Sequence, residues 1–242
     1  MTVQTQNLLL RTNELQEANK LQQINVLLQP TQVIPPGPTI VPAFVQGASV
    51  QATSLAYPSN NTVGNFLFAI VRVVGGAGTT CSMSDTKGNV WIAGPSEQDV
   101  FSHSNWKFSF YALNCASGAN TVSPVTIGTI NAIAIGEYSG VALTNALDGT
   151  PPTSTQGQSQ IATGPAIATT GVNDLILFGA EQWQDTALIS SVSGGYTLRE
   201  QAGNGTAAFG DQVGNAGTYT PVLHYSDSGA GWMVMNIAFF AA

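Results

Sequence analysis

The chain carries very little charge. Only 8% of its 242 residues are Asp, Glu, Lys or Arg, against about 25% in an ordinary globular domain. Six Lys and Arg face thirteen Asp and Glu, for a formal net charge of -7. That balance excludes a basic face for phosphate, so nucleic acid is not an expected partner, and it leaves no polybasic membrane patch. Histidine is scarce, with only His103 and His224. A Ser-His-Asp triad would have to draw on one of these two, and no G-x-S-x-G elbow is present. Cysteine is limited to Cys81 and Cys115. Two cysteines in a chain this long do not make a disulfide scaffold. They read as small buried hydrophobes, with a bond open to them only if their strands are neighbours. No Cys/His cluster has the spacing of a zinc site, so neither a metal nor a cofactor is expected.

The N-terminus, MTVQTQNLLLRTNELQ, lacks a basic stretch followed by a long apolar one. No signal peptide is therefore expected, and the chain is expected to fold in the cytoplasm. The apolar stretch GNFLFAIVRVV, Gly64–Val74, is too short to span a bilayer, and no membrane insertion is expected.

That stretch is the centre of what the sequence does contain. It is rich in β-branched and aromatic residues, Arg72 is its one charge, and Gly-Asn before it and Gly-Gly after it are turn signals. It reads as a strand buried on both faces. Ser84–Trp91, SDTKGNVW, reads as a hairpin whose Asp, Lys, Gly and Asn supply a tight turn. Further strand signals fall at Ala43–Ser54, Lys107–Leu113, Asn120–Ile127, Ile130–Tyr138, Ala162–Thr169, Asp174–Ala180, Gly194–Glu200, Thr206–Phe209, Thr218–His224 and Gly231–Phe240. Pro124 hints at an edge or a bulge, and Leu143–Gln160 reads as a polar loop. No repeat of fixed period is visible. The fold class is all-β: an antiparallel two-sheet sandwich, jelly-roll-like, over residues 43–242. Phe66, Phe68, Ile70, Trp91, Phe110, Ile176 and Trp232 are expected in its core.

Residues 1–29 differ. From residue 3 to residue 29 the segment has neither Gly nor Pro, and its leucines fall on two helical faces, Leu10, Leu21, Ile24 and Leu28 on one and Leu8 and Leu15 on another. One helix cannot bury both stripes alone, so this segment is expected to oligomerise the chain, with a trimer favoured, or to dock on a larger particle. The alternative is a helix packed back on its own sandwich. Residues 30–42 hold five of the twelve prolines and read as an extended linker.

Candidate ligand residues are few. Trp106 in SNWK and Trp183 in EQWQD lie in polar surroundings. An aromatic ring there can stack on a sugar while its neighbours hydrogen-bond the hydroxyls, which makes a cell-surface glycan a candidate partner. The alternative is that each Trp plugs one end of the sandwich. Asp85, Asp148, Asp211 and Asp227 sit near Gly in turns, where Asp is ordinary turn chemistry.

Gly64-Asn65-Phe66-Leu67, Ser84–Trp91, Phe110-Tyr111-Ala112, Gly136–Gly140 with Leu147-Asp148, Asn173–Ile176, Gly194–Thr197 and Trp232–Phe240 occur in one order. In this the body resembles a family of β-sandwich modules of bacterial extracellular and phage-associated proteins. The resemblance covers most of residues 43–242 and implies a β-sandwich with no catalytic residues. The N-terminal segment and linker look like the anchors of phage fibre and capsid-decoration proteins. Together they lead to the expectation of a non-enzymatic structural protein on a virion surface, a head fibre, decoration protein or short tail fibre held by a capsid or tail protein. The alternatives are an extracellular adhesin or carbohydrate-binding module and, last, a hydrolase.

Overall fold

The computed structural model describes residues 11–17, 20 and 40–242, apart from 103, 184–186, 204, 205 and 230. The chain divides into two units, Met1–Thr39 and Ile40–Ala242. In the first, residues 11–17 and residue 20 are helical and exposed, Leu15 at 68%. Leu8, Leu10, Leu21, Ile24 and Leu28 lie outside the described residues, as does the linker up to residue 39.

The described residues of the second unit form strands joined by turns and loops. Its first half runs β1 (Ala43–Val50), β2 (Leu55–Ala56), β3 (Phe66–Val74), β4 (Cys81–Asp85), β5 (Trp91–Ala93), β6 (Glu97–Gln98), β7 (Asn105–Ala112), β8 (Thr121–Thr126) and β9 (Thr129–Ser139). The second half runs β10 (Thr153–Gln158), β11 (Ile161–Thr163), β12 (Ile167–Thr169), β13 (Asp174–Gln182), β14 (Ile189–Ser193), β15 (Thr197–Ala202), β16 (Ala207–Gly214), β17 (Gly217–Tyr219), β18 (Val222–Tyr225) and β19 (Gly231–Phe239). Two large antiparallel sheets form the middle, β1-β9-β3-β7-β5 with β6 also on β7, and β10-β19-β13-β16-β15. The small sheet β2-β8-β4 backs the first, and β11-β18-β14 with the ribbon β12-β17 backs the second. The expected sandwich is therefore thicker than two layers, since each central sheet also has a cover of its own.

The alternation of β3 explains this layering. Phe66, Phe68 and Ile70 point into the space between the large sheets, with Leu175, Leu177, Phe209 and Phe239. Leu67, Ala69 and Val71 point the other way, onto Val122 of β8. A strand buried on both faces reads as a nearly continuous apolar run, and residues 66–73 are all buried, Arg72 being the one charge among them. Burial of one such Leu, Ile or Phe contributes about 1.5–3 kcal/mol. Phe110, Ile176 and Trp232 are also buried as expected, whereas Trp91 is only half-buried.

Other expectations need correction. Ser84–Trp91 is a corner, because β4 and β5 belong to different sheets. Asp85 builds it. Its Oδ1 accepts from the backbone N–H groups of Lys87 and Asn89, and its Oδ2 from Asn89 Nδ2, Trp91 Nε1 and Asn120 Nδ2. Trp91 is drawn toward the corner by that bond. Residues 153–158, expected in a polar loop, form the edge strand β10, and β14 carried no strand signal. Pro124 sits in the middle strand of its sheet, but β2 pairs only as far as Val122, so just one side is paired there. Both cysteines are free; Cys115 is buried.

One carboxylate pair ties the connector between the halves to β13. Asp148 and Asp174 are both buried. Asp148 accepts from the N–H of Thr170 at 2.6 Å, the Thr170 hydroxyl at 2.5 Å and the N–H of Gly171 at 3.2 Å, and Asp174 Oδ2 accepts from the same Gly171 N–H at 3.0 Å. Burial, then the hydrogen bond and negative charge of Asp148, push Asp174 up to about 7. Burial also raises Asp148, but its hydrogen bonds outweigh that and hold it below the usual carboxylate range.

Between about pH 4, where a free Asp titrates, and about pH 7, the folded chain keeps a proton that the unfolded chain has released. This group therefore makes stability fall as pH rises through that interval. Asp174→Asn keeps a donor toward Asp148 but cannot ionise. Urea unfolding across this range should show a shallower fall for the variant than for the parent, and a more stable variant above pH 7.

Candidate functional site

The space between the large sheets is aromatic at one end and charged at the other. The inward positions of β3 run Phe66, Phe68, Ile70, Arg72; those of β13 run Leu175, Leu177, Gly179, Glu181; those of β7 run Tyr111, Ser109, Lys107. Arg72, Lys107 and Glu181 are 3%, 0% and 0% exposed. Arg72 Nε lies 2.8 Å from Glu181 Oε1. Its guanidinium also donates to Asn105 Oδ1, Asn131 Oδ1 and the carbonyl of Trp183. Lys107 Nζ donates to Ser154 Oγ at 2.5 Å, and that hydroxyl donates to Glu97. Gln156 completes the group, donating to Glu97 Oε1 and to the carbonyl of Gln98 and accepting from the N–H of Val100.

Two cations and two carboxylates thus meet between the sheets, Arg72, Lys107 and Glu97 from the first and Glu181 from the second. Buried charge is tolerated when it is paired and hydrogen-bonded, and this cluster meets both conditions. Burial pushes Lys107 down to about 8, with Glu97 and Glu181 holding it from falling further. A serine between a low-pKa amine and a carboxylate contains part of what a nucleophilic site needs. Here, however, the ammonium donates to the hydroxyl and the hydroxyl donates to the carboxylate, so the serine acts as a bridge in an ion pair.

The loop that covers this end is built on Asp99, which is buried and accepts from the N–H groups of Phe101, Ser102, Ser104 and Asn105 and from the Ser102 hydroxyl. Burial raises its pKa, but the bonds from Ser102 and Asn105 outweigh it and hold the carboxyl below its usual range. The loop presents Phe101, 52% exposed, with its ring centroid 5.4 Å from that of Trp183.

Trp183 therefore stands at the charged end, half-buried, in an aromatic pair. Trp106 does not share that place. The alternation of β7 sends Lys107 inward and Trp106 to the outer face, where its ring stacks on Phe108 at 5.5 Å and its Nε1 donates to the carbonyl of Gly76. The two tryptophans do not form one binding surface. His224 is half-buried in β18, and His103 lies outside the described residues. The aspartates expected in turns all accept hydrogen bonds from N–H groups, Asp85 at its corner, Asp148 from Thr170 and Asp227 from Gly229, but Asp211 is not in a turn: it lies within β16 and pairs with Arg199.

Another buried carboxylate, Glu137, accepts from Gln46 Nε2 at 2.5 Å, Asn61 Nδ2 at 2.7 Å, Thr62 N–H at 2.8 Å and Asn65 Nδ2 at 2.6 Å. It ties β1 and the loop before β3 to β9. Neither it nor the Lys107–Ser154–Glu97 bridge stood out beforehand. Arg72 gave the one visible signal, as the single charge in a strand buried on both faces.

Two substitutions separate charge pairing from titration. Glu181→Leu leaves Arg72 buried without its carboxylate and should cost about 3–5 kcal/mol in urea unfolding. Between about pH 8 and the ordinary lysine value near 10.4, the unfolded chain holds a proton that Lys107 has lost in the fold. Lys107 thus makes stability rise with pH there, and Lys107→Met should remove that rise. No protein-family model, curated protein or solved structure matches the chain, so the residues and their geometry carry the functional reading.

Proposed function

We propose that the protein is a non-enzymatic structural component displayed on the surface of a virion-like particle. Residues 1–29 oligomerise or anchor it, with a trimer favoured, and residues 30–42 act as an extended spacer. The body, a jelly-roll-like sandwich, faces outward, and the N-terminal segment meets a capsid or tail protein. The observation that carries this reading is the division of the chain at Thr39/Ile40 into two units of unlike chemistry. One is a leucine-bearing segment, helical over residues 11–17, with Leu15 exposed. The other is a β body whose buried ionisable groups are engaged with one another. Leucines that one helix cannot cover favour association, and each one buried adds about 1.5–3 kcal/mol.

Deleting residues 1–39 should leave a folded monomer that no longer joins its assembly, and Leu21→Asp with Leu28→Asp should have the same effect in the full chain. Light scattering of the three proteins tests this. If all three are monomers, and the truncated form still enters particles, the anchor assignment is wrong.

The Phe101–Trp183 pair favours a second reading, an extracellular adhesin or carbohydrate-binding module. Two neighbouring aromatic rings beside Gln and Ser side chains suit the apolar face of a sugar. Phe101→Ala should then abolish retention on cell-surface polysaccharide with a melting temperature within about 2 °C of the parent, since an exposed side chain contributes little to stability. Unchanged retention would remove the sugar from consideration.

A further inference from the structure

The two large sheets have one strand order. Matching β1-β9-β3-β7-β5 to β10-β19-β13-β16-β15 sets β10 against β1, β19 against β9, β13 against β3, β16 against β7 and β15 against β5. The small sheets follow, β2-β8-β4 against β11-β18-β14. Chain order is the same in both halves, so each half is one unit with its large sheet inward and its small sheet outward.

The register agrees residue by residue. Gly64 and Asn173, with φ of 87° and 61°, are the positive-φ residues just before β3 and β13, and matching them sets Phe66 against Leu175. Phe66 pairs with Tyr138 and Leu175 with Phe239, so Tyr138 corresponds to Phe239. Leu67 pairs with Ala112 and Ile176 with Gln212, so Tyr111 corresponds to Asp211. Ala48 pairs with Ile135 and Thr153 with Asn236, so Ser49 corresponds to Ser154. The spacing changes from strand to strand, which is why no fixed period appears in the sequence.

Contacts between the halves show how the two units are related. A two-fold axis would place some positions against their own counterparts. Ile70 corresponds to Gly179 and Arg72 to Glu181, and both pairs meet across the sheets. A Cβ on Gly179 would stand 2.2 Å from Ile70 Cδ1, and Arg72 and Glu181 form the buried ion pair. Away from the axis, contacts should come in reciprocal pairs. The corresponding serines each donate to a glutamate of the other half, Ser154 to Glu97 and Ser49 to Glu200 at 3.1 Å, although Glu97 lies on β6, outside the matched strands, and is not the counterpart of Glu200. Phe66 packs on Phe239 at 4.6 Å; the reciprocal residues, Leu175 and Tyr138, line one cavity of about 280 Å³ with Phe44, Asp211 and Val213. Their counterparts Leu147, Tyr111 and Leu113 line a cavity of about 410 Å³ at the matching place.

We infer that the inner face of each large sheet is a pairing surface for a second copy of the same unit, and that residues 40–242 are a symmetric dimer fused into one chain. Fusion explains the residues on the axis. In a dimer of identical units, Ile70 would meet Ile and Arg72 would meet Arg. In one chain the two positions vary independently, so a knob meets a hole and a cation meets an anion.

The test uses the full chain. Ile70→Gly, Gly179→Ile, Arg72→Glu and Glu181→Arg should each lower the melting temperature, the two at the Ile70–Gly179 contact by about 10 °C. If the positions are equivalent, exchanging both members of a pair restores the same packing about the axis. Each double exchange should then recover more than half of the summed loss. The second arm reverses the order of the units. The ends of the body meet at Gly140: the N–H of Ala242 donates to its carbonyl at 2.9 Å, and a Cβ on Gly140 would lie 3.0 Å from Ile40 Cγ2. A permutant that opens between Pro151 and Pro152, joins Ala242 to Ile40 through about three residues and keeps residues 1–39 ahead of the new start should fold. It should give the parent's circular dichroism spectrum and one unfolding transition. Double exchanges that merely sum the single losses overturn the inference, as does a permutant that does not fold; should every exchange variant fail to fold, the permutant alone decides.

Discussion

The structure depends on one constraint, that both large sheets are buried on both faces. A sheet in that position has no side for water. It needs a cover front and back, and every residue along its central strands must be apolar or exactly compensated if polar. The large sheets cover one another at the front, and the small sheets cover their backs. The low charge of the chain follows from the same constraint. A substantial share of its residues lies in strands where an unpaired charge would cost more than a typical domain has to spare. The charged residues buried there include Arg72, Lys107, Glu137, Asp174, Glu181 and Asp211, and each has partners.

How much of this was legible depended on whether the cause was local. GNFLFAIVRVV announced a doubly buried strand because all of its strand residues but Arg72 are apolar. The corner at Asp85 announced its turn residues, since Asp and Gly are chosen by local geometry, but not which sheets it joins. TSTQGQ in β10 read as loop because it is an edge strand whose polar side chains bond to the other half, a tertiary matter. The correspondence of the halves was hidden for a similar reason. It is kept in register and topology, while the residues have moved apart, Phe66 against Leu175 and Tyr111 against Asp211. Ser154 and Glu97 carry no mark of their role, because only folding brings residues of β6, β7 and β10 together.

The charged end and the aromatic end contribute differently. Phe66, Tyr111, Tyr138 and Phe239 fill space and tolerate small displacements, with ring centroids 4.6–6.2 Å apart. The ion pairs at the other end work over a narrower range of distance and fix the alignment of one sheet on the other. Above them the loop built on Asp99 carries Phe101 to the surface beside Trp183. A rigid support beneath an exposed aromatic pair lowers the entropy lost on binding, whatever the body of this protein meets.

The closure of each half on itself has a consequence for synthesis. β1 and β3 both pair with β9, so the first half can complete its strand pairing once residue 139 has emerged. Its inner face then stays uncovered until the second half is made, on the order of ten seconds at ordinary translation rates. That face carries Phe66, Phe68 and Ile70, which would attract any other bare sheet nearby. It also carries Arg72 and Lys107. Glu97 already stands beside Lys107 on that sheet, so during that interval Arg72 is the cation still waiting for its carboxylate, and its charge disfavours contact with a like face on a neighbouring ribosome. The arrival of β13 brings Glu181, which pairs with Arg72 and turns a deterrent to aggregation into part of the finished interior.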